Sequence, residues 1–134
     1  MTQIIFLKAV KLKRLSDHQK EVIREVFTTS EIEAAIKAFP EKKAPGIDGL
    51  PIEFYSIFWP NIRPLFLEVV NSFVNQQKLP ETMYLSTISV IPKPGRECNK
   101  PSDFRLISLI NCDKKIITKV MNNRLAPILP SIIH

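Results

Sequence analysis

Near residue 86 the hydrophobic period of the chain changes, and that change decides the fold class. Before it, apolar residues recur three and four apart: Ile32, Ala35, Ile36 and Phe39, then Phe66, Val69, Val70, Phe73 and Val74, the spacing of one buried helical face. After it, Ile88 and Val90 alternate with Thr87, Ser89 and Ile91, the period of two that marks a strand. A polar connection leads to a second short run, Phe104-Arg105-Leu106-Ile107-Ser108-Leu109. Helical spacing then returns with Ile116, Ile117, Val120 and Met121. These periods predict an α+β fold, mostly helical with one antiparallel β-hairpin. A lone hairpin is marginal in water, so this one is expected to lie on helices or on a further sheet.

Caps and prolines set the boundaries. A short helix is expected from about Asp17 to Val26, with Val22, Ile23 and Val26 on one side. Thr28-Thr29-Ser30-Glu31 has the form of a capping box, in which hydroxyl and carboxylate satisfy orphan backbone donors reciprocally. Pro40 ends the helix that follows. The segment Lys42-Lys43-Ala44-Pro45-Gly46-Ile47-Asp48-Gly49 reads as an ordered loop because Pro-Gly and Asp-Gly pairs are strong turn signals. Pro51 suits a helix start, and the aromatics Phe54, Tyr55, Phe58 and Trp59 are expected to pack in the core. After Pro60 a separate helix is expected from near Pro64. In the last segment Asn111 or Asp113 is placed to cap. Leu125, Ile128, Leu129, Ile132 and Ile133 continue the stripe, with a break or kink at Pro127. That stripe either closes this chain's own core or meets further protein.

Composition narrows the function classes. The 134 residues are enough for one compact domain, and a hydrophobic fraction of 45% supports a core. The formal net charge of +6 suits a polyanion: nucleic acid, an acidic protein or an anionic membrane. A solvated basic surface is the plain alternative. Cys98 and Cys112 have no neighbour at metal-ligand spacing and read as reduced structural thiols, while His18 and His134 read as surface residues. No apolar run approaches the roughly 20 residues that span a bilayer. Ile4-Ile5-Phe6-Leu7 is too short for a secretory core, so no address is evident.

No phosphate-binding loop, nucleophile elbow or zinc-protease signature occurs. The basic residues gather late: residues 93–124 hold Lys93, Arg96, Lys100, Arg105, Lys114, Lys115, Lys119 and Arg124 against three acids, Glu97, Asp103 and Asp113. A basic hairpin tip beside Pro and Gly is able to grip phosphates, lysine as a compact charge and arginine as a forked donor. A solvated loop is the bland reading of the same residues.

Lys43-Ala44-Pro45-Gly46-Ile47-Asp48-Gly49-Leu50-Pro51, followed by Glu53-Phe54-Tyr55, resembles a characteristic segment of LINE-type (non-LTR) retrotransposon reverse transcriptases. Three further blocks follow in the family's order. Leu79-Pro80 with Ile88-Ser89-Val90-Ile91-Pro92-Lys93-Pro94-Gly95 resembles its "LP … LIPKPG", and Phe104-Arg105-Leu106-Ile107-Ser108-Leu109-Ile110-Asn111 its "YRPISLLN". Lys115-Ile116-Ile117-Thr118-Lys119-Val120-Met121-Asn122-Asn123-Arg124-Leu125 resembles "KILAKVLANRL". The likeness covers residues 15–134, and four ordered blocks are far more specific than one motif.

The resemblance implies the fingers and early palm of a reverse transcriptase, with residues 1–27 a basic lead-in carrying a short helix and residues 28–134 a partial polymerase domain: N-terminal extension, fingers and start of the palm. It implies that Lys93 and Arg105 contact the triphosphate of an incoming deoxynucleotide. Template and primer contacts are expected from Lys42, Lys43, Arg96, Lys100, Lys119 and Arg124, although Lys42 and Lys43 serve equally well in a plain turn. Asp48 belongs to that turn and is not read as a metal ligand. Implied partners are an RNA template, a DNA primer, the nucleotide and the remainder of a polymerase, with no membrane, in an intracellular setting that includes the nucleus. Leu106 stands where the family has proline, which alters stiffness beside Arg105. The family's palm blocks, "D-x-x-K-A-F-D" and "[YF]-A-D-D", do not occur here, so no catalytic residue, metal ligand or bound cofactor is expected, and Mg²⁺ only in a full-length polymerase. Two other readings stay open: a non-catalytic nucleic-acid-binding module, and a helical interaction protein or relic without function.

Overall fold

The computed structural model describes residues 13–133. The apolar run at residues 4–7, Lys8, Lys11 and His134 lie outside the described residues. Contacts divide the described residues into a unit of residues 26–120 and a second unit of residues 13–25 together with residues 121–133. Six main elements occur among the described residues: α1 (Asp17–Arg24), α2 (Thr29–Lys37), α3 (Ile52–Gln76), β1 (Ser86–Pro92), β2 (Phe104–Ile110) and α4 (Cys112–Leu125). The fold is α+β, as the periods predict.

In the larger unit α2 starts where its cap demands. Thr28 Oγ1 accepts from Glu31 N at 3.3 Å, and Thr28 N donates to Glu31 Oε2 at 2.9 Å. Ile32, Ala35 and Ile36 are buried, and the helix stops at Lys37, ahead of Pro40. α2 packs on α3, and the Trp59 indole N–H donates to Glu33 Oε1 across that contact at 2.8 Å. The hydrogen bond lets a tryptophan go inside without stranding its polar edge.

α3 corrects the expectation of two helices separated near Pro60, because it runs unbroken through Pro60 and Pro64. The two prolines stand four apart on an exposed side of the helix. The carbonyls they leave without donors, those of Ser56 and Pro60, therefore lie where solvent can serve them, and the usual disruption is softened. The opposite stripe, Ile52, Tyr55, Trp59, Phe66 and Val70, is buried. Phe66 takes Tyr55 and Trp59 edge-on, with ring centroids 6.2 and 5.7 Å away. Phe58 faces outward, 47% exposed, so the aromatic cluster is only partly core. Gln77, in the left-handed region at φ 54°, closes the helix by donating its N–H to Phe73 O at 2.8 Å.

The hairpin pairs β1 with β2 antiparallel, Ile91 opposite Arg105 and Pro92 opposite Phe104. Lys93-Pro94-Gly95-Arg96 turns the chain: Arg96 N–H donates to Lys93 O at 3.3 Å, and Gly95 sits at φ 71°. Proline second and a positive-φ glycine third are the marks of a type II turn. The register gives the hairpin two unlike faces. One carries Ile88, Val90, Pro92, Phe104, Leu106 and Ile110; the other carries Thr87, Ser89, Ile91, Arg105, Ile107 and Leu109. The apolar face is open among the described residues, with Ile88 61%, Val90 56% and Leu106 74% exposed. The expected covering layer is therefore absent there, and the two strands pack chiefly on each other.

α4 begins after Asn111, whose carbonyl accepts the first helical bond from Lys115 N at 3.1 Å. Ile116, Ile117 and Val120 are buried. The helix stops at Leu125, two residues before Pro127, and the stripe continues only as a single turn at Leu129–Ser131. In the smaller unit, α1 starts from a Ser16–Gln19 capping box and ends at Arg24, short of Val26. Gln19 Nε2 donates to Ser131 Oγ at 3.3 Å.

Candidate nucleic-acid interface

Lys93 and Arg105 reach the same face of the hairpin. The ladder extends one step past β1, since Lys93 N–H donates to Asp103 O at 2.8 Å, so Lys93 stands opposite Asp103 as Ile91 stands opposite Arg105. Residues opposite each other share a face, and so do residues two apart. Lys93 and Arg105 are thus diagonal neighbours, a relation that separates backbones by roughly 7–8 Å. The Lys93 ammonium is held: Nζ donates to Ser102 O at 2.8 Å, leaving two of its three protons for other acceptors. Arg105 is exposed, and no hydrogen bond engages its guanidinium among the described residues. One tethered ammonium and one exposed guanidinium therefore stand on one hairpin face.

The other expected contacts separate. Arg96 and Lys100 are exposed on the connection between the strands. Lys100 is fixed by its backbone, which donates to Asp103 Oδ2 at 3.0 Å. Lys42 and Lys43 are exposed in the loop before α3. Lys42 sits at φ 58° and donates its backbone N–H to Glu53 Oε1 at 2.5 Å. That bond is the chief reason the Glu53 carboxyl lies below its ordinary value. Lys119 is half-buried on α4. Arg124 leaves the set: it is 9% exposed, and its Nη1 donates to Glu25 O at 2.5 Å. A buried guanidinium bonded to a backbone carbonyl is not presented to a phosphate strand. Lys114 is likewise occupied, its ammonium 5.5 Å from the Tyr84 ring centroid.

The loop at residues 42–49 meets the start of α4. Gly46 abuts Asn111, which is buried with its Oδ1 lacking a partner. Burial pushes the Asp113 carboxyl up, and Asp48 adds to the rise, while the Lys114 backbone N–H opposes it. Burial likewise pushes up the Tyr55 hydroxyl, helped by Asp113 and Asp48, and the Cys112 thiol, which the Lys115 charge draws partly back. Both cysteines are free, Cys98 exposed and Cys112 buried. These acids do not fit the two-metal set that the resemblance implies for a full polymerase, since among the described residues no three His, Cys, Asp or Glu side chains gather to hold a metal ion. Among the described residues no helix is long and apolar enough to cross a membrane. Sequence reading missed the cavity shared by Lys43, Phe39 and Lys115; only the density of lysines around it was visible.

Comparison with known proteins agrees with the resemblance at a coarser level. No protein-family model matches the chain. It is 32% identical over 120 residues to the transposon TX1 uncharacterized 149 kDa protein of Xenopus laevis, which covers 90% of this chain and 9% of that protein. It is 33% identical over 100 residues to the probable RNA-directed DNA polymerase from transposon BS of Drosophila melanogaster, covering 74% of this chain and 11% of that one. The chain therefore spans about a tenth of the length of the curated relatives it matches. By these matches it is related in sequence to transposon-encoded proteins, one of them a probable RNA-directed DNA polymerase.

Proposed function

We propose that this chain is the fingers part of a LINE-type retrotransposon reverse transcriptase, engaging template and incoming deoxynucleotide without itself carrying the metal-binding aspartates. The observation that carries the reading is the register that sets Lys93 and Arg105 on one hairpin face. There Lys93 acts as a fixed point charge and Arg105 as a two-pronged clamp on the phosphates of the nucleotide, where fixed cations are needed as pyrophosphate charge develops. Arg96, Lys100, Lys42 and Lys43 supply exposed charge for template or primer phosphates. Transfer requires carboxylate-held metals that activate the primer hydroxyl, so the isolated chain binds and does not polymerise.

The test is fluorescence anisotropy of a labelled single-stranded RNA across a salt series, with Arg96→Glu and Lys100→Glu variants at exposed positions, beside a primer-extension assay with Mg²⁺. The reading expects affinity that falls with salt, a shallower salt slope in each variant, and no extension. Salt-insensitive or absent binding would favour a helical interaction protein or a relic, and primer extension by the purified chain would refute the assignment of a purely binding role.

A further inference from the structure

A cavity of about 210 Å³ lies at the 40–50 loop, lined by Phe39 beyond the end of α2, Lys43 and Ala44 of the loop, Ile52 at the start of α3, and Cys112 and Lys115 in the first turns of α4. We propose that this cavity takes a single unstacked base of a single-stranded nucleic acid, with the adjoining phosphodiester held by Lys43 and Lys115. The inference rests on the reading that the chain engages nucleic acid, and adds a site that shares none of the hairpin's residues.

Three features of the lining select this occupant. The volume is below the roughly 300–1,000 Å³ of pockets that enclose whole small-molecule ligands, so it suits one flat ring and not a complete nucleotide. The lining is apolar apart from the lysines and includes one aromatic residue, Phe39. Aromatic and aliphatic walls accept the π-face of any base, while lysines beside them meet the backbone; this is the pattern of sequence-tolerant single-strand binding. Charge then chooses the phosphate. Lys43 and Lys115 are the charged residues of the lining, but Asp48, Glu53 and Asp113 are close enough to act on the Cys112 thiol. Acids at that range disfavour a doubly charged terminal phosphate and leave a singly charged phosphodiester as the better match.

The experiment follows the methyl resonances of Ala44 and Ile52 by NMR in the whole chain while a deoxyadenosine trimer is added. Expected are saturable shifts at both methyls, with a trimer of abasic sugar-phosphates binding roughly tenfold more weakly or worse, as loss of base stacking implies. Ala44→Phe, at an exposed position, should fill the cavity and abolish the Ile52 shift; a circular dichroism spectrum matching the parent shows that it folds, and Lys43→Glu gives a second reading by lowering trimer affinity without filling the space. Equal shifts from the abasic trimer would overturn the proposal. So would shifts produced only by a peptide bearing an aromatic and an acidic residue. If a long single-stranded RNA binds but the trimer moves neither methyl, the base site falls and the broader reading stands; if neither binds, both fall.

Discussion

Gly46 and Asn111 are packed so closely that a Cβ on Gly46 would come 2.5 Å from the Asn111 backbone nitrogen and 2.6 Å from its Cα. The obstacle is backbone, which does not swing aside. Gly46→Ala is therefore expected to lose about 1–3 kcal/mol of stability, the range for forced overpacking. Gly49 has open space around its Cβ position but φ 72°, so Gly49→Ala should cost only the left-handed strain of about 1–2 kcal/mol. Urea denaturation of the two variants measures both effects, and re-packing should appear at Asn111 only for Gly46→Ala.

Trp59→Phe separates packing from hydrogen bonding. The substitution keeps a ring beside Phe66 and removes the donor to Glu33. A hydrogen bond to a charged group contributes about 1.5–3 kcal/mol. A loss of that order is expected in wild-type background and little further loss when Glu33→Gln is added, read as urea midpoints in a double-mutant cycle.

Asp113 makes stability depend on pH. Its carboxyl is raised in the folded chain above the ordinary 3.8, first by burial. As pH rises past 3.8 the unfolded chain ionises first, so the fold loses stability until the folded carboxyl also ionises, and the deficit is constant above that. Asp113→Asn should therefore be more stable than the parent at neutral pH, with the difference vanishing below 3.8. Denaturation at both ends of that window gives the sign.

The hairpin register makes a further prediction. Because Lys93 and Asp103 form a hydrogen-bonded pair, alternation assigns the next such pairs to Ile91 with Arg105 and Ser89 with Ile107, and leaves Val90 with Leu106 between them. The Leu106 N–H therefore points away from the ladder, as does the position of Pro92. Leu106→Pro, which restores the residue of the resembled family, removes no ladder bond and should cost less than Ile107→Pro, which removes one and should lose about 1 kcal/mol or more. Thermal melts of the pair decide it.

Local signals were legible in the sequence. The Thr28 cap, the turn at Pro94-Gly95 and the two strands follow from neighbours within a few residues, and each forms as expected. The continuity of α3 was not legible, because a proline's cost depends on whether its freed carbonyl faces solvent, which only the packed helix decides. Nor was the fate of Arg124, whose acceptor at Glu25 lies 99 positions away. The tether of Lys93 to Ser102 and the meeting of Phe39 with Lys115 are likewise products of chain return, which no periodicity encodes.

The most direct measurement is a double-mutant cycle on deoxynucleoside triphosphate binding by the purified chain, using Lys93→Ala, Arg105→Ala and the pair, followed by isothermal titration. Two cations sharing one polyphosphate should be coupled by about 0.5–3 kcal/mol. Strictly additive losses, or binding indifferent to both residues, would contradict the account of a single phosphate-holding face.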